Sequence, residues 1–281
     1  MALKGCFCQK KAGQGMNNRM ETVEVYSHRF KVRSFEVGPE EILRPWSLLH
    51  RLQETAIHGS ASRGYDMERY RSLGTAWVLR QWRLQVSHLP EEGRPLVMRT
   101  WISGFRGSRS HREFLLEQED GEIWGRAQAE WVYMDRVRRR PVRVDDALKE
   151  GFRGSQGAPV LKADDARWLE QHELLDAEAG DESTGERVVR HSDLDSWDHA
   201  NQAVYVRWAL DRSDGRFRGF RGCHVRYLRE TRLGDRIRVR DMRWQESDDG
   251  EYRRTGAQIE RWNDEGQWDV CVLVAMAWAD S

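Results

Sequence analysis

Residues Asp193 to Asp211 read DLDSWDHANQAVYVRWALD. Asp193, Asp195, Asp198 and His199 are followed by a run in which Val204 and Trp208 stand one helical turn apart. A helix starting near His199 to Asn201 would leave its first backbone N–H groups without intrahelical partners, at the positive end of the helix dipole. Asp195 or Asp198 could simply cap that helix. A zinc site fits poorly: Cys223 is isolated, and no second His or Cys lies at ligand spacing. Ser196 lacks the G-x-S-x-G context of a serine nucleophile. A carboxylate and an imidazole beside free N–H groups combine a general base with an oxyanion site. That combination suits water attack on an activated acyl group, with no metal and no cofactor.

The chain states its pattern twice. In the first half the strand-like FKVRSFEV (Phe30 to Val37) precedes RPWSLLHRLQETAIHGSASRG, where Leu48, Leu49, Leu52, Thr55 and Ala56 fall at helical spacing. Alternating runs follow, among them AWVLRQWRLQVS, RPLVMRTWISGF and IWGRAQAEWVYMD, separated by turn residues. In the second half RVVRHSDL precedes NQAVYVRWALD, then CHVRYLRET, DRIRVRDMRWQE, YRRTGAQIERWN and QWDVCVLVAMAWAD. The pattern predicts an α+β double hotdog: in each repeat a strand and one long central helix, wrapped by an antiparallel β-sheet whose four remaining strands form a meander. The helices are expected over Pro45 to Gly59 and Asn201 to Arg212. The expected organisation is a disordered leader over residues 1–20, an N-terminal hotdog over 21–140, a solvated linker over 141–186, and a C-terminal hotdog over 187–281. Met16 and Met20 are alternative starts.

Composition narrows the function classes. The 281 residues carry 46 Lys and Arg against 46 Asp and Glu, which argues against a generally basic nucleic-acid binder. No apolar run approaches the ~18 residues that span a bilayer. Cysteines 6, 8, 223 and 271 form no disulfide or zinc framework, so reduced thiols in the cytoplasm are expected. The thirteen tryptophans read as core filling or as aromatic walls of an apolar pocket.

Taken together, these segments resemble the acyl-ACP thioesterases of plants and bacteria. DLDSWDHANQAVYVRWALD is similar to that family's D-L-D-x-N-x-H-V-N-N-x-x-Y-x-x-W segment, and RYLRETRLGD to its Y-x-R-E-C segment. The first-half stretches RSFEVGPEEILRPWSLLHRLQETA and RAQAEWVYMDRVRRRPVRV continue the likeness. The resemblance implies hydrolysis of a fatty acyl thioester of acyl carrier protein, with Asp195, His199 and Glu230 as catalytic residues. Two positions depart: Trp197 stands where the family has a catalytic asparagine, and Thr231 where it has a cysteine. A cysteine nucleophile is thereby excluded at that position, and activated water remains. Trp197, Asn201 and Thr231 are expected to line the thioester site. Trp46, Leu49, Leu52, Trp77 and Trp82 are expected to line an apolar acyl tunnel.

The partner implied is acyl carrier protein, with acyl-CoA as the alternative carrier, in a monomer or homodimer. Because the carrier is acidic, docking is expected on Arg136, Arg138, Arg139 and Arg140, or on Arg216, Arg218 and Arg221. Two competing readings differ at named residues. A hotdog dehydratase would need D-x-N-P-x-H, with histidine five residues after aspartate, whereas His199 lies four after Asp195 with no proline between. A non-catalytic acyl-binding scaffold is the reading that Trp197 favours.

Overall fold

The structure is a computed structural model and describes residues 24–161, 178–211, 215–243 and 253–279. Strand β1 (Tyr26–Lys31) leads to helix α1 (Pro45–Ala61) and a short helix α2 (Met67–Ser72). Strands β2 (Thr75–Val86), β3 (Pro95–Arg106), β4 (Arg109–Gln118) and β5 (Ile123–Asp135) follow, then β6 (Arg140–Pro141) and helix α3 (Asp146–Gly151). The second half repeats the order with β7 (Glu178–Val188), α4 (Gln202–Leu210), β8 (Phe220–Tyr227), β9 (Arg236–Arg243), β10 (Arg253–Trp262) and β11 (Trp268–Trp278). No helix among the described residues is long and apolar enough to cross a membrane.

The strands form one sheet in the order β1-β3-β4-β5-β2-β8-β11-β10-β9-β7, with the short β6 attached to β5. Read from its centre outward, each half gives the same sequence of strands. The two halves join edge to edge where β2 runs antiparallel to β8, Gln81 opposite Arg226 through Gln85 opposite Gly222. This pairing removes the exposed edge that either half would otherwise present.

Local chemistry explains the elements. Pro45 starts α1 with its ring preset for the first turn, and Leu48, Leu49, Leu52 and Ala56 turn one stripe into the core. On β5, Gly125 lets the backbone approach β2 closely: an added Cβ would lie 2.9 Å from Val86 Cγ1 and 3.1 Å from the Gln85 carbonyl oxygen. A single apolar core runs through both halves, from Leu48 and Phe114 to Val204, Val225 and Val274. Its centre is the fully buried Trp82, whose indole N–H donates to Gln202 Oε1 at 2.8 Å across the junction.

Several expectations need correction. The strand expected over Phe30–Val37 ends at Lys31. Residues Ser34–Glu36 turn instead, because Glu36 accepts from the Arg33 N–H and is held by Arg51. Helix α2 was not foreseen; Asp66 caps it by accepting from the Arg69 N–H. The meander is three strands rather than four: β2 crosses over to pair with β5, as β8 does with β11. The second helix is short, with nine residues against seventeen in α1. The linker expected over 141–186 is narrower at both ends. Val144, Leu148 and Phe152 pack on Tyr65 and Tyr133 of the first half. The acidic stretch from Glu178 joins the sheet as β7, with Glu178 opposite Arg243 and Glu186 paired to Arg236 at 2.6 Å. Opposite charges across an edge pair stabilise a strand that apolar patterning does not reveal. The leader lies outside the described residues.

The Trp82–Gln202 bond gives a stability test. Trp82→Phe removes the donor and part of the ring from a fully buried site, leaving Gln202 Oε1 with the Tyr227 hydroxyl alone, at a cost of about 1–3 kcal/mol. The expected result is a lower urea midpoint at unchanged slope.

Candidate active site

The loop before α4 is organised by Asp195. Its N–H donates to the His199 carbonyl at 2.8 Å, and its Oδ1 accepts from the N–H groups of Trp197 at 2.8 Å and His199 at 3.4 Å. Asp198 takes a left-handed turn conformation, φ 59°, which a short polar side chain tolerates. The helix cap is Asn201, whose side chain accepts from the Ala203 N–H at 2.9 Å. Asp195 therefore shapes the loop rather than caps the helix, and its Oδ2 has no partner among the described residues. Asp193 is structural: its carboxylate accepts from the Arg190 N–H and from Arg207.

The segment after β8 crosses this loop, with the Ala200 N–H donating to the Thr231 carbonyl at 2.9 Å and His199 bridged to Arg232. That crossing sets Glu230 beside His199, Oε2 to Nε2 at 3.1 Å. Arg232 reaches Glu230 Oε1 at 2.8 Å, and Arg139 from the β5–β6 turn contacts the same oxygen. Partial burial works to raise the Glu230 pKa, but the Arg232 hydrogen bond and the charges of His199 and Arg139 outweigh it and hold the carboxyl below the ordinary glutamate range.

Two cavities meet here. The outer one opens past His199, Arg229 and Glu230. The inner one, of about 200 Å³, is lined by Tyr70, Ile102, Arg112 and Phe152 among others. Gln53, Trp77, Trp131, Asp195 and Trp197 line both, so the loop stands where the cavities join. The Arg136 guanidinium stacks 4.3 Å from the Trp197 ring centroid, which fixes the indole as a wall.

Asp195, Trp197, His199, Glu230 and Trp77 are thus brought together, and the other expected residues are not. Thr231 is fully buried with its hydroxyl on Tyr205 OH at 2.8 Å, and it lines neither cavity. Asn201 is spent on the cap. Trp46 packs edge-on against Phe217, and Leu49, Leu52 and Trp82 are sealed in the core. Arg138 pairs with Asp135 and Arg218 with Glu40.

Gln53 was missed. An indole can only donate, so the Trp82 bond fixes Gln202 with its oxygen toward Trp82 and its NH₂ toward Gln53 Oε1, at 3.3 Å. The Gln53 NH₂ is left to donate at the cavity junction. A polar residue flanking the apolar stripe of α1 was the available signal.

Residues 23–152 match the acyl-ACP thioesterase N-terminal domain, and residues 177–267 match the acyl-ACP thioesterase C-terminal domain. The chain belongs to the acyl-ACP thioesterase family. It is 30% identical over 203 residues to a chloroplastic palmitoyl-acyl carrier protein thioesterase of Gossypium hirsutum, covering 66% of this chain and 46% of that protein. It is 26% identical over 196 residues to oleoyl-acyl carrier protein thioesterase 1, chloroplastic, of Arabidopsis thaliana, covering 66% and 54%. The chain spans about half the length of these curated relatives. In fold it is similar to the 12:0-ACP thioesterase from Umbellularia californica, with TM-score 0.73 and 20% identity over 92% of this chain and 98% of that one. An acyl-ACP thioesterase from Bacteroides thetaiotaomicron gives TM-score 0.73 and 16% identity over 90% and 97%.

The charge cluster predicts a pH dependence. A depressed folded-state pKa means the ionised Glu230 contributes stability that is fully present above the ordinary glutamate pKa and is lost as pH falls through the lowered value. The contribution is small, because the side chain is 39% exposed and screened by water. Glu230→Gln is expected to lower the melting temperature slightly at neutral pH and to converge with the wild type in acid. A gap that widens on acidification would contradict this.

Proposed function

We propose that this chain hydrolyses a fatty acyl thioester of acyl carrier protein by water attack. The observation that carries the reading is the convergence of Asp195, His199 and Glu230 where an open mouth meets a largely apolar cavity. The acyl chain enters the inner cavity and the carrier arm occupies the outer one. Asp195 Oδ2 orients a water beside the carbonyl carbon, and His199 takes its proton as the oxygen attacks. Glu230, held ionised by its arginines, stabilises the imidazolium that forms. The C–S bond breaks, His199 returns the proton to the leaving thiolate, and the free acid departs.

Trp197 takes no chemical part. The amide that its position lacks comes from Gln53, whose NH₂ donates to the developing oxyanion from the opposite wall. A thioester carbonyl lacks the resonance of an amide, so activated water suffices and no acyl-enzyme is needed.

The test is thiol release from carrier-protein and CoA thioesters by the full chain. Asp195→Asn, His199→Ala and Glu230→Gln are each expected to lower kcat severely with folding intact. Gln53→Ala is expected to lose about 10²–10³-fold, the typical loss for one oxyanion donor. Near-normal release by the Asp195, His199 and Glu230 variants would reduce those residues to turn and surface roles. Wild-type protein that binds acyl chains but releases no thiol would leave an acyl-binding scaffold.

Arg139 reaches Glu230, so the β5–β6 turn with Arg138 and Arg140 rims the mouth. This favours it over Arg216 to Arg221 as the dock for an acidic carrier. Reversing the charge of Arg138 and Arg140 is expected to raise KM for carrier substrates and flatten its dependence on salt. An unchanged salt dependence would discard the dock.

A further inference from the structure

The inner cavity has an apolar lining with one conspicuous exception. Arg112 lies on the inward face of β4 with Ser110, Phe114 and Leu116, and is only 6% exposed. Its guanidinium donates to two neutral hydroxyls, Ser60 Oγ at 3.0 Å and Thr100 Oγ1 at 3.5 Å, and sits 5.9 Å from the Phe152 ring centroid. Gly59 makes room for it: an added Cβ there would lie 3.1 Å from Arg112 Nη1. Among the described residues, Glu36 is neutralised by Arg51, Asp193 by Arg207 and Glu260 by Arg238, while the buried Glu113 is met by Ser103, Gln128 and the Val160 N–H. Arg112 has no carboxylate partner among the described residues. Burial lowers its pKa to about 10, which leaves it charged at neutral pH.

Beside it stands Tyr70, also buried, whose oxygen accepts from Trp77 Nε1 at 3.0 Å and whose hydroxyl also lies against Ser60. A guanidinium has five N–H donors, and here two serve protein hydroxyls. The cavity therefore ends in surplus donors and an uncompensated cation. A plain alkyl end pressed against them would strip their solvent and return no hydrogen bond, an unfavourable exchange.

We propose that the inner cavity is built for acyl chains whose far end carries an oxygen acceptor, a carboxylate above all, received by Arg112 with Tyr70. The proposal rests on the hydrolase reading above and names its substrate class: half-thioesters of dicarboxylic acids. Helix α1 sets the length. Gln53 stands at the junction and Ser60, beside Arg112, seven residues further along, so the two levels are about 10 Å apart, or about eight bonds of an extended chain. A carboxylate at that depth supplies the missing counter-charge and can meet the guanidinium fork with both oxygens.

The experiment compares kcat/KM of the full-length wild type for decanoyl, ω-hydroxydecanoyl and sebacoyl half-thioesters on one carrier. Binding of the corresponding amides, which resist hydrolysis, is measured by calorimetry. The sebacoyl chain is expected to exceed decanoyl on the order of 10²-fold, with the hydroxy chain between them, since a site made for hydrogen bonding discriminates against a substrate that lacks the partner. Arg112→Met is expected to reverse that order, and Tyr70→Phe to shrink the ratio should the methionine variant not fold. Decanoyl equal to or better than sebacoyl in the wild type, or a sebacoyl preference that survives both substitutions, overturns the proposal while leaving the hydrolase reading standing. If no thioester is cleaved, the hydrolase reading falls and the amides decide: tighter binding of the carboxy-ended amide, lost on substitution, upholds the pocket assignment. Equal binding, or none, removes it.

Discussion

The indole N–H of Trp82 has one possible role, to donate, and the oxygen it donates to belongs to Gln202 in the other half of the chain. From that buried bond the polarity of a whole relay follows. Gln202 must turn its NH₂ toward Gln53 and the Leu49 carbonyl, and Gln53 must then turn its own NH₂ toward the cavities. The Tyr227 hydroxyl, which donates to the Gln202 carbonyl at 2.9 Å, closes the network from β8. Such a network inside an apolar core is costly unless every member is satisfied, which holds α1 and α4 in one relative position. The same bonds that fix the two halves also aim an amide at the candidate site.

Electrostatics at the mouth are equally constrained. Glu230 is surrounded by Arg139, Arg232 and His199, so its negative charge is committed before any substrate arrives. A carboxylate whose ionised form is favoured in this way is a poorer proton acceptor and a better counter-ion. The division of roles in the proposed mechanism follows: Glu230 supports the imidazole, and proton transfer falls to His199. Trp197 is tolerated because the loop relies on its backbone N–H, given to Asp195, and Arg136 holds the ring to one wall.

How much of this was readable from the residues depends on what each residue's environment demands. Alternation made the meander strands legible, and the DLDSWDH and RYLRET segments located the loop and its crossing strand. The departure of β2 to the far side of β5 left no periodic mark, since either neighbour would bury the same face. The acidic β7 looked solvated because its pairing is with an arginine-rich strand rather than with a core. In α1 the error was about one residue of rotation. Leu49 and Leu52 pack into the core, whereas Gln53, Ile57 and Ser60, on the adjoining flank, line the cavity. Expecting an apolar tunnel to be lined by the most apolar residues overlooks that such residues close onto each other when they can. Arg112, a charge at an inward position of SHREFLLEQ, was the visible exception.

The asymmetry between two topologically matched halves then has a physical cause. In the second half Tyr205, Trp208 and Tyr227 fill the space under the shorter helix, and the two tyrosine hydroxyls are spent on Thr231 and Gln202. Tyr205 and Tyr227 line the outer cavity, and deepening it beneath them would unpair buried polar groups. In the first half α1 runs nearly twice as long, and past Gln53 its Ile57 and Ser60 line the inner cavity beside Tyr70 and Arg112. One half supplies the charged loop and the other supplies the room. Neither alone brings Asp195 and Gln53 to one cavity junction, which depends on the edge pairing of β2 with β8.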